Sequence, residues 1–94
     1  MNEAITEELR AIDAAHHIHP FSDPKQLPKD GVRVITSGKG VNIWDSDGNR
    51  YIDGMSSLWN VNIGHGRKEI ADAVARQFGE IEYFNLFYKT TNVP

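Results

Sequence analysis

The sequence predicts an α+β fold class, with an N-terminal helix, a three-stranded antiparallel meander and a second, amphipathic helix. Two observations support this prediction. Near both ends of the chain, apolar residues recur every three or four positions, as they do on one face of a helix. Between these regions, short runs with alternating character are separated by glycine-containing turns, which is typical of consecutive antiparallel strands.

The first helix is predicted over residues 3–17. Apolar residues spaced by four and then three positions share one of its faces: Ile5, Leu9 and Ile12. Pro20 ends the pattern, because a proline disfavours helical geometry in the residue before it. The next stretch, residues 20–31, contains three of the four prolines and is predicted to be irregular.

Three strands are predicted next, at residues 32–36, 41–45 and 50–53. Turn sequences separate them, Ser-Gly-Lys-Gly at 37–40 and Ser-Asp-Gly-Asn at 46–49. Glycine adopts a positive φ at low cost, which tight turns require. The strands are therefore predicted to pair as an antiparallel meander.

The second helix is predicted over residues 67–79. Its apolar stripe consists of Ile70, Val74 and Phe78. Gly79 is predicted to cap its C-terminus, because a left-handed residue commonly ends a helix there. Beyond this helix, four of the nine aromatic residues of the chain fall within six positions: Tyr83, Phe84, Phe87 and Tyr88.

Composition argues against several classes of function. Ten basic residues are scattered among thirteen acidic ones, for a net charge of −3, so no nucleic-acid partner is predicted. The chain has no cysteine, which excludes disulfides and thiolate zinc sites and fits a reducing compartment. No apolar run approaches the ~18 residues of a membrane span, and the acidic N-terminus does not resemble a secretory signal. A cytoplasmic location is predicted.

Two motifs weakly suggest metal binding. His16 and His19 are three positions apart and would share a helical face, but no nearby Cys or Glu completes a ligand set. The segment from Asp45 to Asn49 resembles the start of a calcium loop, which needs a sixth-position glycine and a twelfth-position glutamate. Here the glycine is fourth and the twelfth residue is Ser56. A helix end and a hairpin turn are the preferred interpretations, and no metal is predicted.

The Gly64-His65-Gly66 motif precedes the second helix. Free N–H groups at such a position can bind an anion, although a tight turn that lets two backbone segments pass closely is the preferred interpretation. His65 has no visible partner for proton transfer. A Schiff-base lysine requires a site shielded from water. None of the five lysines has neighbours in sequence that predict such a site, and Lys89, after the aromatic cluster, comes nearest to it.

Both aromatic regions have the composition of a small-molecule pocket. Trp59 has small polar neighbours: Ser56, Ser57, Asn60 and Asn62. Asn85 interrupts the later aromatic cluster. Large aromatic faces beside small polar groups suit a pocket that orients a ligand, while a simple core role for Trp59 and Phe87 stays open.

Four segments, in this order and spacing, resemble the N-terminal part of class III aminotransferases: HPFSDP (19–24), GVNIWDSDGNRYIDGMSSLW (40–59), NVNIGHGR (60–67) and YFNLFYKTT (83–91). The resemblance is strongest to the omega-amino-acid:pyruvate branch, which includes the amine–pyruvate transaminases. These are pyridoxal-phosphate enzymes of fold type I. The resemblance implies that residues 1–94 are an N-terminal segment from the small domain and dimer arm of an α/β parent.

The resemblance also implies an activity, the transfer of an amino group from an amine or omega-amino acid to a keto acid such as pyruvate. It implies pyridoxal 5'-phosphate held by a lysine as a Schiff base, and a homodimer. Four residues correspond by position to walls of the substrate pocket: Phe21, Leu58, Trp59 and Phe87. Phe87 would lie near or across the dimer interface, supported by Phe84 and Tyr88.

The catalytic and cofactor-binding residues of the family are expected beyond residue 94, so none is assigned here. The 94 residues alone are expected to lack transaminase activity. Two other interpretations stay open at this stage. One is a free-standing α+β binding module with an aromatic face, and the other is a metal-binding peptide built on the histidines.

Overall fold

A computed structural model describes residues 3–92 of the chain. Its elements, in order, are α1 (Glu3–His16), α2 (Leu27–Asp30), β1 (Ile35–Lys39), β2 (Asn42–Asp45), β3 (Arg50–Ile52), α3 (Ser56–Trp59) and α4 (Lys68–Glu80). The strands form one antiparallel sheet in the order β1-β2-β3. The predicted α+β class, the two long helices and the three-stranded meander are confirmed.

The first strand lies three residues further along the chain than predicted. β1 begins at Ile35 rather than at residue 32, and its pairing register with β2 shifts between Ile35 and Ser37. The prediction that residues 37–40 form a turn is therefore wrong, since only two residues separate β1 from β2. Gly38 lies inside the strand, where a Cβ would come within 2.7 Å of His65 Cγ. Gly38 therefore leaves room for the His65 ring and does not form a turn.

The second long helix also ends later than predicted. α4 continues through Gly79 to Glu80 and stops at Ile81, whose backbone is extended. The N–H of Ile81 donates to Gln77 O at 2.9 Å, and the Gln77 side-chain amide donates to Ile81 O at 3.1 Å. The prediction of Gly79 as the C-terminal cap is wrong, because the carbonyl at the helix end is satisfied by a glutamine side chain instead.

Arg10 attaches α1 to the segment that leads into the sheet. Its Nε donates to Val32 O at 2.9 Å, and its side chain lies against Gly31. The guanidinium also bonds Glu7 at 2.7 Å and reaches Asp47 in the β2–β3 turn at 3.5 Å. One side chain thus joins the first helix, the loop after α2 and the hairpin.

The carboxylate of Asp45 organises the β2–β3 hairpin. It accepts hydrogen bonds from the N–H groups of Asp47 and Asn49 at 3.0 and 2.8 Å and from the Tyr51 hydroxyl at 2.8 Å. Burial raises the pKa of Asp45, but the hydrogen bonds from Tyr51, Asn49 and the turn backbone outweigh it, so its pKa lies below the ordinary value. The predicted turn at 46–49 is confirmed, with Gly48 at a φ of 86°.

No apolar side chain is buried among the described residues. The buried residues are polar: Thr6, Asp45 and Ser46. The radius of gyration is 18.0 Å, against about 12 Å for a compact domain of this length. The accessible surface is 8235 Å², against about 5,500 Å² for a compact monomer of this mass. The described part of the chain therefore has no apolar core of its own, and none of its helices is both long and apolar enough to cross a membrane.

The missing core predicts how the isolated chain unfolds. Cooperative unfolding requires shared burial of apolar surface, which these residues lack. We expect far-ultraviolet circular dichroism to decline gradually on heating. A single sharp transition in a sample that sedimentation shows to be monomeric would contradict this expectation.

The Asp45 hydrogen bonds predict a pH dependence. Because folding lowers the pKa of Asp45, its contribution to stability is present above its unfolded value of about 3.9 and is lost as the pH falls through the folded pKa. Tyr51→Phe removes one donor and is expected to raise the pKa of Asp45, measured by carboxyl-carbon NMR titration at low temperature. The control is Tyr83→Phe, the same change at an exposed tyrosine outside the hairpin, which should leave the Asp45 titration unchanged. An unchanged Asp45 titration in Tyr51→Phe would refute the assignment.

Candidate functional site

The short element α3 is a left-handed turn. Its four residues have φ values of 48°, 49°, 63° and 67°, and ψ is 47° at Ser57 and 55° at Leu58. None of the four is glycine, and left-handed helical geometry costs an L-residue about 1–2 kcal/mol. Strain of this kind persists only where the surroundings enforce it, and it clusters at functional sites.

Hydrogen bonds hold the left-handed turn at both ends. Trp59 N–H donates to Met55 O at 3.0 Å, and Asn60 N–H donates to Ser56 O at 2.9 Å. The Asn60 side-chain amide donates to Leu58 O at 3.1 Å. The two residues predicted to line the pocket, Leu58 and Trp59, are therefore presented from a turn whose backbone is bonded before and after them.

Asp53 anchors the start of this turn. Its carboxylate accepts hydrogen bonds from the Ser57 N–H at 2.9 Å and from the Ser57 hydroxyl at 2.8 Å. It is also hydrogen-bonded to His65 Nε2 at 2.8 Å. The pKa of Asp53 lies below its ordinary value. The largest cause is the hydrogen bond from the Ser57 N–H, followed by those from the His65 imidazole and the Ser57 hydroxyl, and together they outweigh the opposing effect of burial. Sequence reasoning found no partner for His65, because twelve positions separate it from Asp53.

The glycines on either side of His65 allow two backbone segments to pass closely. His65 pairs with Gly40 through N–H···O bonds of 2.8 and 3.0 Å. Gly64 has a φ of 86°, and a Cβ on it would lie 3.2 Å from the backbone of Gly40. The preferred interpretation of this motif as a tight turn is confirmed.

The other two predicted pocket residues lie in turns that also use positive φ. Phe21 has a φ of 51°, and Tyr88, which follows Phe87, has a φ of 62°. The Asn85 side chain accepts the Phe87 N–H at 3.1 Å, and Phe87 O accepts the Thr90 hydroxyl at 2.6 Å. The sequence predicts Asn85 as a polar group of the pocket, whereas in the structure its side chain shapes the turn at Phe87.

The four predicted pocket residues are exposed and do not stack on one another. Their exposed fractions are 107% for Phe21, 67% for Leu58, 82% for Trp59 and 70% for Phe87. Within residues 3–92, the only aromatic-ring contacts are His17 with His19 and Arg33 with Tyr51. A groove of about 610 Å³ between α1 and α2 contains none of the four. Leu58 and Trp59 are consecutive residues of the left-handed turn, whereas Phe21 and Phe87 lie exposed on other segments of the chain.

The described residues do not fit the anchoring of a cofactor or a metal. All five lysines are exposed, whereas a Schiff-base lysine needs a desolvated site. His19, one of the two histidines considered as metal ligands, is hydrogen-bonded to Asp13 at 2.8 Å. Among residues 3–92, no group of three or more His, Cys, Asp or Glu side chains is arranged to hold a metal ion.

Comparison with known proteins identifies the family. The family described as "Aminotransferase class-III" matches residues 26–93. A putrescine–pyruvate aminotransferase of Pseudomonas aeruginosa is 46% identical over the whole chain, and the chain covers 21% of that protein. A hypotaurine/taurine–pyruvate aminotransferase of Paracoccus denitrificans is 40% identical over 79% of the chain and is covered to 16%.

The fold has the same relatives. A crystal structure of an (S)-enantioselective omega-transaminase from Thermomicrobium roseum matches 94% of the chain with a TM-score of 0.84 and 45% identity, and 19% of that structure is covered. The chain thus spans about a fifth of the length of the relatives it matches. Its fold is that of part of a fold type I transaminase. The resemblance found in the sequence is confirmed, and the chain belongs to the class III aminotransferase family.

Proposed function

We propose that residues 1–94 form the N-terminal segment of a pyridoxal-phosphate-dependent transaminase. The enzyme would move an amino group from an amine or omega-amino acid to a keto acid such as pyruvate. The observation that carries this proposal is the similarity to two aminotransferases named for pyruvate, one over the whole chain and one over 79% of it. A homodimer is part of the proposal, because the exposed apolar residues of this segment require cover that residues 3–92 do not provide. A cytoplasmic location is also part of it, since a chain without cysteine fits a reducing compartment.

In this proposal the segment supplies walls of the substrate pocket through Phe21, Leu58, Trp59 and Phe87. Aromatic and aliphatic faces exclude water from the bound amine and limit the size of its substituent, while nearby polar groups orient it. Class III aminotransferases use pyridoxal phosphate, whose ring acts as an electron sink when bound. In this proposal the four wall residues face the substrate, and the cofactor is anchored by residues beyond position 94.

The alternative of a free-standing binding module is disfavoured by packing. A module that folds alone needs an apolar core, and no apolar side chain is buried among residues 3–92. The exposed aromatic residues are better explained as surfaces that are covered in a larger assembly.

A grafted enzyme tests the proposed function. In it, this chain replaces the aligned segment of the Pseudomonas aeruginosa putrescine–pyruvate aminotransferase. We expect the grafted enzyme to bind pyridoxal phosphate and to transaminate an amine with pyruvate as the acceptor. The isolated chain is expected to be inactive, because its lysines are solvated. Activity of the isolated chain, or a folded and cofactor-loaded grafted enzyme without activity, would overturn the proposal.

A second prediction concerns the pocket wall. In the grafted enzyme, Trp59→Ala is expected to shift the ratio of kcat/KM for 1-phenylethylamine to that for putrescine by about tenfold or more in favour of the bulkier amine, the scale of discrimination that apolar contacts provide. Trp44→Ala is the matched control, since Trp44 lies on β2 and is half-buried. The control should lower the thermal midpoint and leave the ratio unchanged. A ratio that Trp59→Ala does not alter would identify Trp59 as a packing residue.

A further inference from the structure

Asp53 connects three separate parts of the chain. Its N–H donates to Val41 O at 2.8 Å, which fixes it to the turn between β1 and β2. Its carboxylate bonds Ser57 of the left-handed turn through two donors. The same carboxylate bonds the imidazole of His65, which belongs to the backbone bridge to Gly40. A single residue, whose side chain is 9% exposed, therefore links the sheet through its backbone and the turn and the bridge through its carboxylate.

His65 is fixed on the opposite side of this contact. Its backbone is paired with Gly40 in both directions. Its ring lies against Gly38, where an added Cβ would meet Cγ at 2.7 Å. An ionised carboxylate only accepts hydrogen bonds, so Nε2 carries the proton that His65 donates to Asp53. The imidazole is 21% exposed and has little room to rotate away.

The left-handed turn needs such support. Ser57 is in the left-handed region together with three non-glycine neighbours, a strained geometry that persists only where the surroundings enforce it. Asp53 bonds both the N–H and the hydroxyl of Ser57, while His65 restrains the carboxylate that does so. Loss of this restraint would let the turn relax and would move Leu58 and Trp59.

We infer that Asp53 and His65 are positioning residues that set amine selectivity by holding Leu58 and Trp59 in the left-handed turn. This inference rests on the proposed function, because it treats these two residues as pocket walls. Neither Asp53 nor His65 needs to touch the substrate. Their effect passes through Ser57, which immediately precedes Leu58 in the turn.

Substitutions at His65 separate the hydrogen bond from the volume of the ring. His65→Phe keeps a ring and loses the donor, whereas His65→Gln loses the ring and keeps an N–H near the position of Nε2. In the grafted enzyme, His65→Phe is expected to change the selectivity ratio between 1-phenylethylamine and putrescine by about threefold or more. His65→Gln is expected to restore most of the original ratio. His16→Phe, the same change at an exposed histidine of α1, is the matched control and should leave the ratio unchanged.

A double-mutant cycle tests whether His65 acts through the turn. In the Trp59→Ala background, His65→Phe should change the selectivity ratio much less than it does alone, because the residue it positions has been removed. A general loss of stability would instead lower kcat/KM equally for both amines and would add to the effect of Trp59→Ala. Equal, additive losses would overturn the inference.

A third variant moves the imidazole without altering either partner. Gly38→Ala places a Cβ where the His65 ring lies, so it is expected to change the selectivity ratio in the same direction as His65→Phe. If Trp59→Ala changes the ratio and neither His65→Phe nor Gly38→Ala does, the positioning inference fails and the pocket proposal stands. If Trp59→Ala itself leaves the ratio unchanged, the pocket proposal fails.

Discussion

Two buried or nearly buried carboxylates fix the backbone of this segment in the absence of an apolar core. Asp45, at the end of β2, accepts four hydrogen bonds that shape the hairpin. Asp53, just after β3, accepts three that start the left-handed turn and hold His65. Both carboxylates have a pKa below the ordinary value, so both are ionised at neutral pH. Ionised acceptors make stronger hydrogen bonds than neutral ones, which suits a segment whose local order does not come from packing.

The backbone strain and the exposed aromatic residues occur together. Phe21, Leu58 and Trp59 are themselves at positive φ, and Phe87 precedes Tyr88, which is also at positive φ. A positive φ turns a side chain away from the direction that a strand or a right-handed helix would give it. In a self-contained domain, the strain and the exposure of the neighbouring apolar groups would both be destabilising, with no compensating interaction. In a pocket wall, the same geometry presents a large side chain to a ligand from a backbone with few alternative conformations.

Sequence reasoning found the order and type of the main elements because periodicity and turn residues are local signals. It misplaced the first strand because glycine at position 38 suggests a turn, whereas in the structure a side chain at this position would collide with the ring of His65, 27 residues away in the sequence. It missed the left-handed turn because Ser, Leu and Trp have no preference for that conformation. The Asp53–His65 bond was equally invisible, since neither residue type nor spacing specifies a pair twelve positions apart. The pocket residues themselves came only from family resemblance.

The Asp53–His65 pair, which sequence reasoning missed, and the predicted residues Leu58 and Trp59 belong to one structural unit. A pocket wall is recognised in sequence by its large side chains, but its position is set by the groups that hold its backbone. Here those groups are polar and lie on other elements: a carboxylate at the end of the sheet and a histidine on a backbone bridge. Because Asp53 contacts the turn at Ser57 and not at Leu58 or Trp59, it can hold the wall without occupying the pocket. Under the proposed function, selectivity would therefore depend on this hydrogen-bonded support as much as on the aromatic surface that the support presents.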